Sequence, residues 1–301
     1  MDNWESLIEK LAAKDITYVE NECLAKHCTF KIGGNARLVC TVNDMAKLLW
    51  LSELFKTENV KYYILGKGSN VLFADEGFDG AIIKMAQQLC EISINGTELV
   101  AGAGADLAKV CMAARDAGLT GLEFAYGIPG SVGGAVYMNA GAYGGEMAQA
   151  VSDVEFIDDT DKVNTLPVSK LAYSYRNSIF QQNKWIISKA SFSLKRGDKA
   201  QISAKMQELA KCRGEKQPLD MPSAGSTFKR PEGAFAAALI DKCNLRGFSV
   251  GGAAISEKHC GFVVNKGGAT CADVLKLADE VCKIVHEKTG YNLEKEIRVV
   301  R

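Results

Sequence analysis

Two glycine-rich stretches place chemistry on the main chain rather than on side chains. From Gly121 to Glu146 the chain reads GLEFAYGIPGSVGGAVYMNAGAYGGE, with eight glycines and one proline in 26 residues. Phe124, Tyr126, Ile128, Val132, Val136, Tyr137 and Met138 sit between those glycines. A flexible linker carries small polar residues in such positions, so the glycines are placed for turns or for close approach to something bound. Backbone brought that close to a ligand offers its N–H groups, which suit phosphates and other anions. The second stretch, Leu65-Gly66-Lys67-Gly68-Ser69-Asn70, is followed by Val71-Leu72-Phe73, which reads as a strand. A Rossmann turn and a P-loop both need a helix there. Two readings stay open for it: a strand–loop–strand phosphate cradle helped by the Ser69 hydroxyl, or a tight hairpin with no ligand. A third motif, Gly102-Ala-Gly104-Ala-Asp-Leu107, has Leu where a dinucleotide fingerprint needs its last small residue. It reads as a β–α turn. Two glycine loops together suit a large ligand with two phosphates, such as a dinucleotide.

The elements that must carry these loops alternate. Trp4, Leu7, Ile8 and Leu11 have helical spacing, which predicts a helix over residues 3–13. Strands are predicted at 37–41, 61–65, 80–84, 98–101, 154–158 and 185–192, and helices at 44–56 and 105–117, the latter ended by Gly118. Beyond residue 197 a helix is expected at 199–211, then a polar turn-forming segment at 214–222. A last helix over 271–288 has Thr270 and Asp273 as a capping pair and Gly290 as its stop, and a strand follows at 298–301. The pattern is α+β with a domain boundary near Gly197-Asp198.

Composition narrows the function classes. Thirty-six basic and 36 acidic residues cancel, so no net charge favours nucleic acid. No run of apolar residues reaches membrane-spanning length, and the first residues lack a signal-peptide core. Ten cysteines occur without C-x-x-C spacing. They read as buried, reduced thiols of a cytoplasmic protein, and no metal site is expected.

Six motifs then occur in order: Leu65–Gly80 (LGKGSNVLFADEGFDG), Gly121–Glu146, Tyr173–Ser178 (YSYRNS), Pro222–Pro231 (PSAGSTFKRP), Ser256–Asn265 (SEKHCGFVVN) and Leu293–Arg298 (LEKEIR). With His27–Gly34 (HCTFKIGG) before them, they resemble the UDP-N-acetylenolpyruvoylglucosamine reductase family over nearly the whole chain. The short segment between Arg176 and Ser223 resembles the second type of that family. The resemblance implies a two-lobed PCMH-type (vanillyl-alcohol-oxidase-like) FAD-binding domain at 1–197, with lobes of about 1–85 and 86–197, and a smaller α+β substrate domain at 198–301. It implies non-covalent FAD, NADPH as hydride donor, and reduction of the enolpyruvyl group of UDP-N-acetylglucosamine enolpyruvate to UDP-N-acetylmuramate, in peptidoglycan precursor synthesis.

By the same resemblance Ser226 is the proton donor, with Ser223 three residues earlier as the alternative. Arg176 steadies the developing enolate, and Glu296 rather than Glu294 is the site carboxylate, although in a strand both would face one side. FAD contacts carried over are Gly66, Lys67, Gly68, Ser69 and Asn70, then Ile128, Pro129, Gly130, Ser131, Gly133, Gly134 and Asn139. Arg213, Lys216, Lys229 and Lys258 are candidates for the substrate diphosphate. His259 reads as structural. An oxidase or dehydrogenase of the same fold, or a non-catalytic sugar-nucleotide binder, would share the cradle.

Overall fold

The computed structural model describes residues 3–301. Contacts divide the chain into two compact units, each assembled from separated segments. The first comprises the residues up to Glu20, Leu38–Gly66 and Gly80–Cys212. Its larger sheet is antiparallel, in the order Val163–Pro167, Val151–Ile157, Ile186–Ser193, Glu98–Gly102, Ile92–Asn95. Leu99, Ala101, Val154, Ala190 and Phe192 bury one face of that sheet. Helices Leu107–Asp116 and Val132–Tyr137 contribute Leu107, Val110, Cys111, Val132 and Val136 to the same core. A second core gathers Leu7 and Leu11 of helix Asn3–Ala13 with Leu48, Leu51 and Phe55 of helix Met45–Thr57. Tyr62–Ile64 runs parallel to Ala81–Ile83 beside it.

The second unit holds Asn21–Arg37, Lys67–Asp79 and Arg213–Arg301. An antiparallel sheet runs Ser223–Ser226, Phe262–Asn265, Ala253–Ile255, Ser249–Val250. Helix Cys271–Thr289 buries Val274, Leu277, Ala278, Val281 and Val285, the stripe expected of one helical face. Thr270 and Asp273 form the predicted capping box, and Gly290 ends the helix at φ 77°. The first turn has a further acceptor: the Asp75 carboxylate takes the N–H groups of Cys271 at 2.6 Å and Ala272 at 3.0 Å. Four helix N–H groups lack intrahelical partners, so a carboxylate there satisfies both hydrogen bonding and dipole.

Strand Val71–Phe73 pairs in parallel with Arg298–Val300, whereas Tyr62–Ile64 belongs to another sheet. The strands flanking Leu65–Asn70 are therefore not partners, which removes the hairpin reading. Helix Lys199–Lys216 runs beyond its expected end at 211. Gly214 sits inside it at a cost of about 1 kcal/mol, and the helix stops before Pro218, which cannot donate the next bond. Residues 132–137, inside the glycine-rich stretch, form a short helix where loop was expected. Glu294 and Glu296 lie in irregular chain, not in a strand; regular pairing starts at Arg298.

Candidate active site

In the first unit Gly66, at the start of one glycine loop, approaches Ser131 of the other. A Cβ on Gly66 would lie 2.3 Å from the hydroxyl of Ser131. Ser131 is almost fully buried, caps helix Val132–Tyr137 and accepts the Gly134 N–H at 3.4 Å. The Gly102–Leu107 motif supports this from beneath. Leu107 N–H donates to the Gly130 carbonyl at 3.1 Å, and Gly133 N–H donates to the Ala103 carbonyl at 2.8 Å. Asp106 caps the following helix, so the β–α turn reading holds. The Gly133 N–H is thereby engaged within the protein. By contrast, no backbone carbonyl takes the N–H groups of Gly66, Gly68, Ser69, Asn70, Gly130 or Ser131. Neither loop carries a carboxylate between Gly66 and Asn70 or between Ile128 and Asn139. Within the first unit, the acceptor-free N–H groups of Gly66 and Gly130, with no opposing charge, fit a phosphate of a dinucleotide. Ile128 packs partly against the core, and Pro129 and Lys67 lie at the surface.

The YSYRNS segment is sewn to the end of the glycine-rich stretch. Ser178 and Gln181 both donate to the Tyr137 carbonyl, at 2.7 and 2.9 Å. Fully buried Asn139 donates to the Ser174 carbonyl at 3.1 Å and accepts the Ala148 N–H at 3.0 Å. Asn139 thus acts here on the loop that carries Arg176. Arg176 itself has φ 55°, and Asn139, Tyr143 and Ala172 are also left-handed. A non-glycine residue held there costs about 1–3 kcal/mol and persists where surrounding contacts over-determine it. Those contacts are visible: Gln181 donates to the Arg176 carbonyl at 2.9 Å, and the guanidinium donates to the Gly141 carbonyl at 3.3 Å and lies 5.0 Å from the Tyr175 ring. Gln181 has no sequence signal of its own; only its acceptors reveal its part. The buried Tyr173 hydroxyl has no hydrogen-bond partner, and burial pushes its pKa up.

In the second unit Ser69, Asn70, Ser226 and Glu296 come together. Ser223 pairs with Val264 and Ser226 with Phe262, so one extra residue is accommodated between them. Gly225 sits in this bulge at φ 76°, with the Ser69 carbonyl 3.9 Å from its Cβ position. Bulges re-aim side chains and are common beside functional sites. Thr227 fixes the far side: its N–H donates to the Gly261 carbonyl at 2.8 Å, and its buried hydroxyl accepts Val263 N–H at 3.0 Å. The Thr227 carbonyl accepts Glu296 N–H at 2.7 Å, and Arg298 N–H donates to the Asn70 carbonyl at 3.0 Å. Glu296 is half-buried, whereas Glu294 is exposed and paired with Lys229 at 3.0 Å. The two glutamates are thus separated by their surroundings.

The basic candidates fall in two places. Lys258 donates to the Gly214 carbonyl at 2.5 Å, on the helix end that carries Arg213 and Lys216. Arg213 is buried and donates to Gln217 at 3.1 Å, while Lys229 is held by Glu294. His259 accepts Gly261 N–H through Nδ1 at 3.1 Å, and burial and then nearby Arg246 lower its pKa.

Residues 36–166 match the model of an FAD binding domain, and residues 217–300 match that of the UDP-N-acetylenolpyruvoylglucosamine reductase C-terminal domain. A UDP-N-acetylenolpyruvoylglucosamine reductase of Caldanaerobacter subterraneus subsp. tengcongensis is 44% identical over 298 residues, covering 98% of each chain. One from Clostridium perfringens (strain SM101) is 43% identical over 300 residues, covering 100% of this chain and 98% of its own. The crystal structure of the reductase from Thermus caldophilus superposes with a TM-score of 0.82 at 35% identity, over 95% of this chain and 99% of that one. The mixed helix-and-strand fold with its FAD-binding domain, the cradle and the C-terminal match agree: the chain belongs to the UDP-N-acetylenolpyruvoylglucosamine reductase family, FAD-dependent oxidoreductases of peptidoglycan synthesis.

Proposed function

We propose that the chain reduces the enolpyruvyl double bond of UDP-N-acetylglucosamine enolpyruvate to give UDP-N-acetylmuramate, in the cytoplasm, with NADPH as hydride source. Among the described residues no helix is long and apolar enough to cross a membrane. Non-covalent FAD supplies the hydride-transfer chemistry when bound. Neither glycine loop carries a histidine or cysteine to which a flavin could be joined. By the family resemblance residues of the two glycine loops would hold it, among them Gly66 and Gly130, whose N–H groups no backbone carbonyl takes.

The observation that carries the reading is the bulge that presents Ser226 beside the backbone of Glu296. Hydride addition to the vinyl terminus leaves negative charge on the neighbouring carbon and its carboxylate. Arg176, held in place by Gln181, stabilises that charge through its guanidinium. The Ser226 hydroxyl donates the proton, which a weak acid can do when held against a strongly basic carbon. Glu296 orients the carboxyl end of the substrate or the Ser226 hydroxyl. Lys258, Arg213 and Lys216 hold the diphosphate, with Lys229 recruited from its exposed ion pair. The functional division follows the sequence, with an FAD-binding part at 1–197 and a substrate part at 198–301.

The test separates two half-reactions. In Ser226→Ala, flavin reduction by NADPH keeps its rate while reoxidation by the enolpyruvyl substrate falls by roughly 10²–10⁴-fold, the usual worth of a positioned acid. Stopped-flow absorbance of the flavin reads both. Equal loss of the two rates, or none, refutes the assignment.

A further inference from the structure

The segment Cys28–Gly34 lies outside every role assigned so far, yet it touches both halves of the second unit's site. Thr29 N–H donates to the Gly68 carbonyl at 3.1 Å. The Thr29 hydroxyl donates to the Ser223 carbonyl at 2.6 Å, with the Gly68 carbonyl 3.4 Å away. Gly68 belongs to the glycine loop, and Ser223 is the last paired residue before the bulge that presents Ser226. The same segment is pinned once more where Asn265, opposite Ala253 in the sheet, donates to the carbonyl of fully buried Phe30 at 3.2 Å. It also explains Gly68. That residue has φ 66°, and a Cβ there would lie 2.3 Å from the His27 carbonyl oxygen and 2.7 Å from Cys28 Cα. The glycine is required by this strap, whatever the loop binds.

We propose that Thr29 is a positioning residue for protonation: a single hydroxyl ties the glycine loop to the strand bearing the proton donor, so that Ser226 is aimed correctly only when the loop is in place. The proposal rests on Ser226 being the donor. A donor tied at Ser223 on one side of the bulge and at Thr227 on the other has little freedom to drift. Loss of the Ser223 tie frees one side. A hydroxyl misplaced by 1 Å costs on the order of 10²-fold in a reaction that depends on contact geometry.

Thr29→Val keeps the shape and removes the donor, and Thr29→Ser restores the donor alone. Both are compared with wild type and Ser226→Ala as FAD-loaded enzyme, by stopped-flow of each half-reaction in H₂O and D₂O. Thr29→Val is expected to bind FAD and accept hydride from NADPH within about threefold of wild type. Its reoxidation by substrate slows at least tenfold, with a larger solvent isotope effect, and Thr29→Ser recovers most of the rate. The proposal is overturned if Thr29→Val reoxidises like wild type. It is equally overturned if both half-reactions fall together and Thr29→Ser fails to rescue, since that is a purely structural role. If Ser226→Ala reoxidises like wild type, the donor assignment itself is wrong, and the proposal falls with it.

Discussion

Replacing Gly134 by alanine should move two properties in opposite directions. Gly134 is exposed, in the short helix Val132–Tyr137, and a Cβ there meets nothing closer than the Ser131 hydroxyl at 3.5 Å, an ordinary contact. Alanine is a better helix residue by about 1 kcal/mol. The cofactor-free protein should therefore melt about 2–4 °C higher. If backbone at this turn lies against the flavin pyrophosphate, the added methyl keeps phosphate oxygens at carbon-contact distance instead of hydrogen-bond distance. FAD affinity should then fall at least tenfold, about 1.4 kcal/mol. Gly66→Ala is the control. There the Cβ lies 2.3 Å from the buried Ser131 hydroxyl, which must swing off its helix cap at a cost of about 1 kcal/mol. Both melting temperature and FAD affinity should fall. Differential scanning fluorimetry of stripped protein and flavin-fluorescence titration give the two readouts. A Gly134→Ala protein that melts higher and binds FAD within twofold of wild type would place the cofactor elsewhere. One that melts lower would refute the packing argument.

Two further outcomes follow from burial. Desolvation pushes the Cys40 and Cys111 thiols up to about 12. At pH 8 only roughly one molecule in 10⁴ carries the thiolate, against about one in four for a free cysteine; iodoacetamide followed by peptide mass spectrometry should leave both unmodified in the native protein, and rapid labelling of either would show that the core opens. Burial likewise depresses His259 in the folded state, so the unfolded chain takes up the proton first. Stability should be complete above about pH 6.5 and decline as pH falls below it toward the depressed value; urea titrations from pH 7.5 to 5.5 should show a flatter dependence in His259→Gln, and an unchanged slope would mean that the imidazole is solvated.

What could be read beforehand was local. Helix Cys271–Thr289 announced both its ends, because capping residues act on N–H and C=O groups within a few positions. The two glycine loops were visible for the same reason. The partners of Val71–Phe73 were not, since Arg298–Val300 lies far along the chain and a three-residue apolar run says nothing of its neighbour. The extra residue between Ser223 and Ser226 was hidden because it exists only relative to the opposing Phe262–Val264. Gly214 opened the segment expected to turn, yet propensity of about 1 kcal/mol yields to the surrounding helix, and the break waited for Pro218. Glu294 and Glu296 could not be told apart by alternation, because no strand exists there; Lys229 and Thr227 distinguish them.

The parallel pairing of Val71–Phe73 with Arg298–Val300 also sets a timetable. Asn70, at the end of the glycine loop, lies 226 positions from the Glu296 whose carbonyl its side chain reaches. At about 5–20 residues per second, a ribosome needs roughly 10–45 seconds to make that interval. Throughout it the loop's following strand has an open edge. The pairing that anchors the glycine loop is therefore completed only after residue 300 has been made. A product cut short by even a few residues before that point would keep the glycine loop's sequence and lose the strand that anchors it.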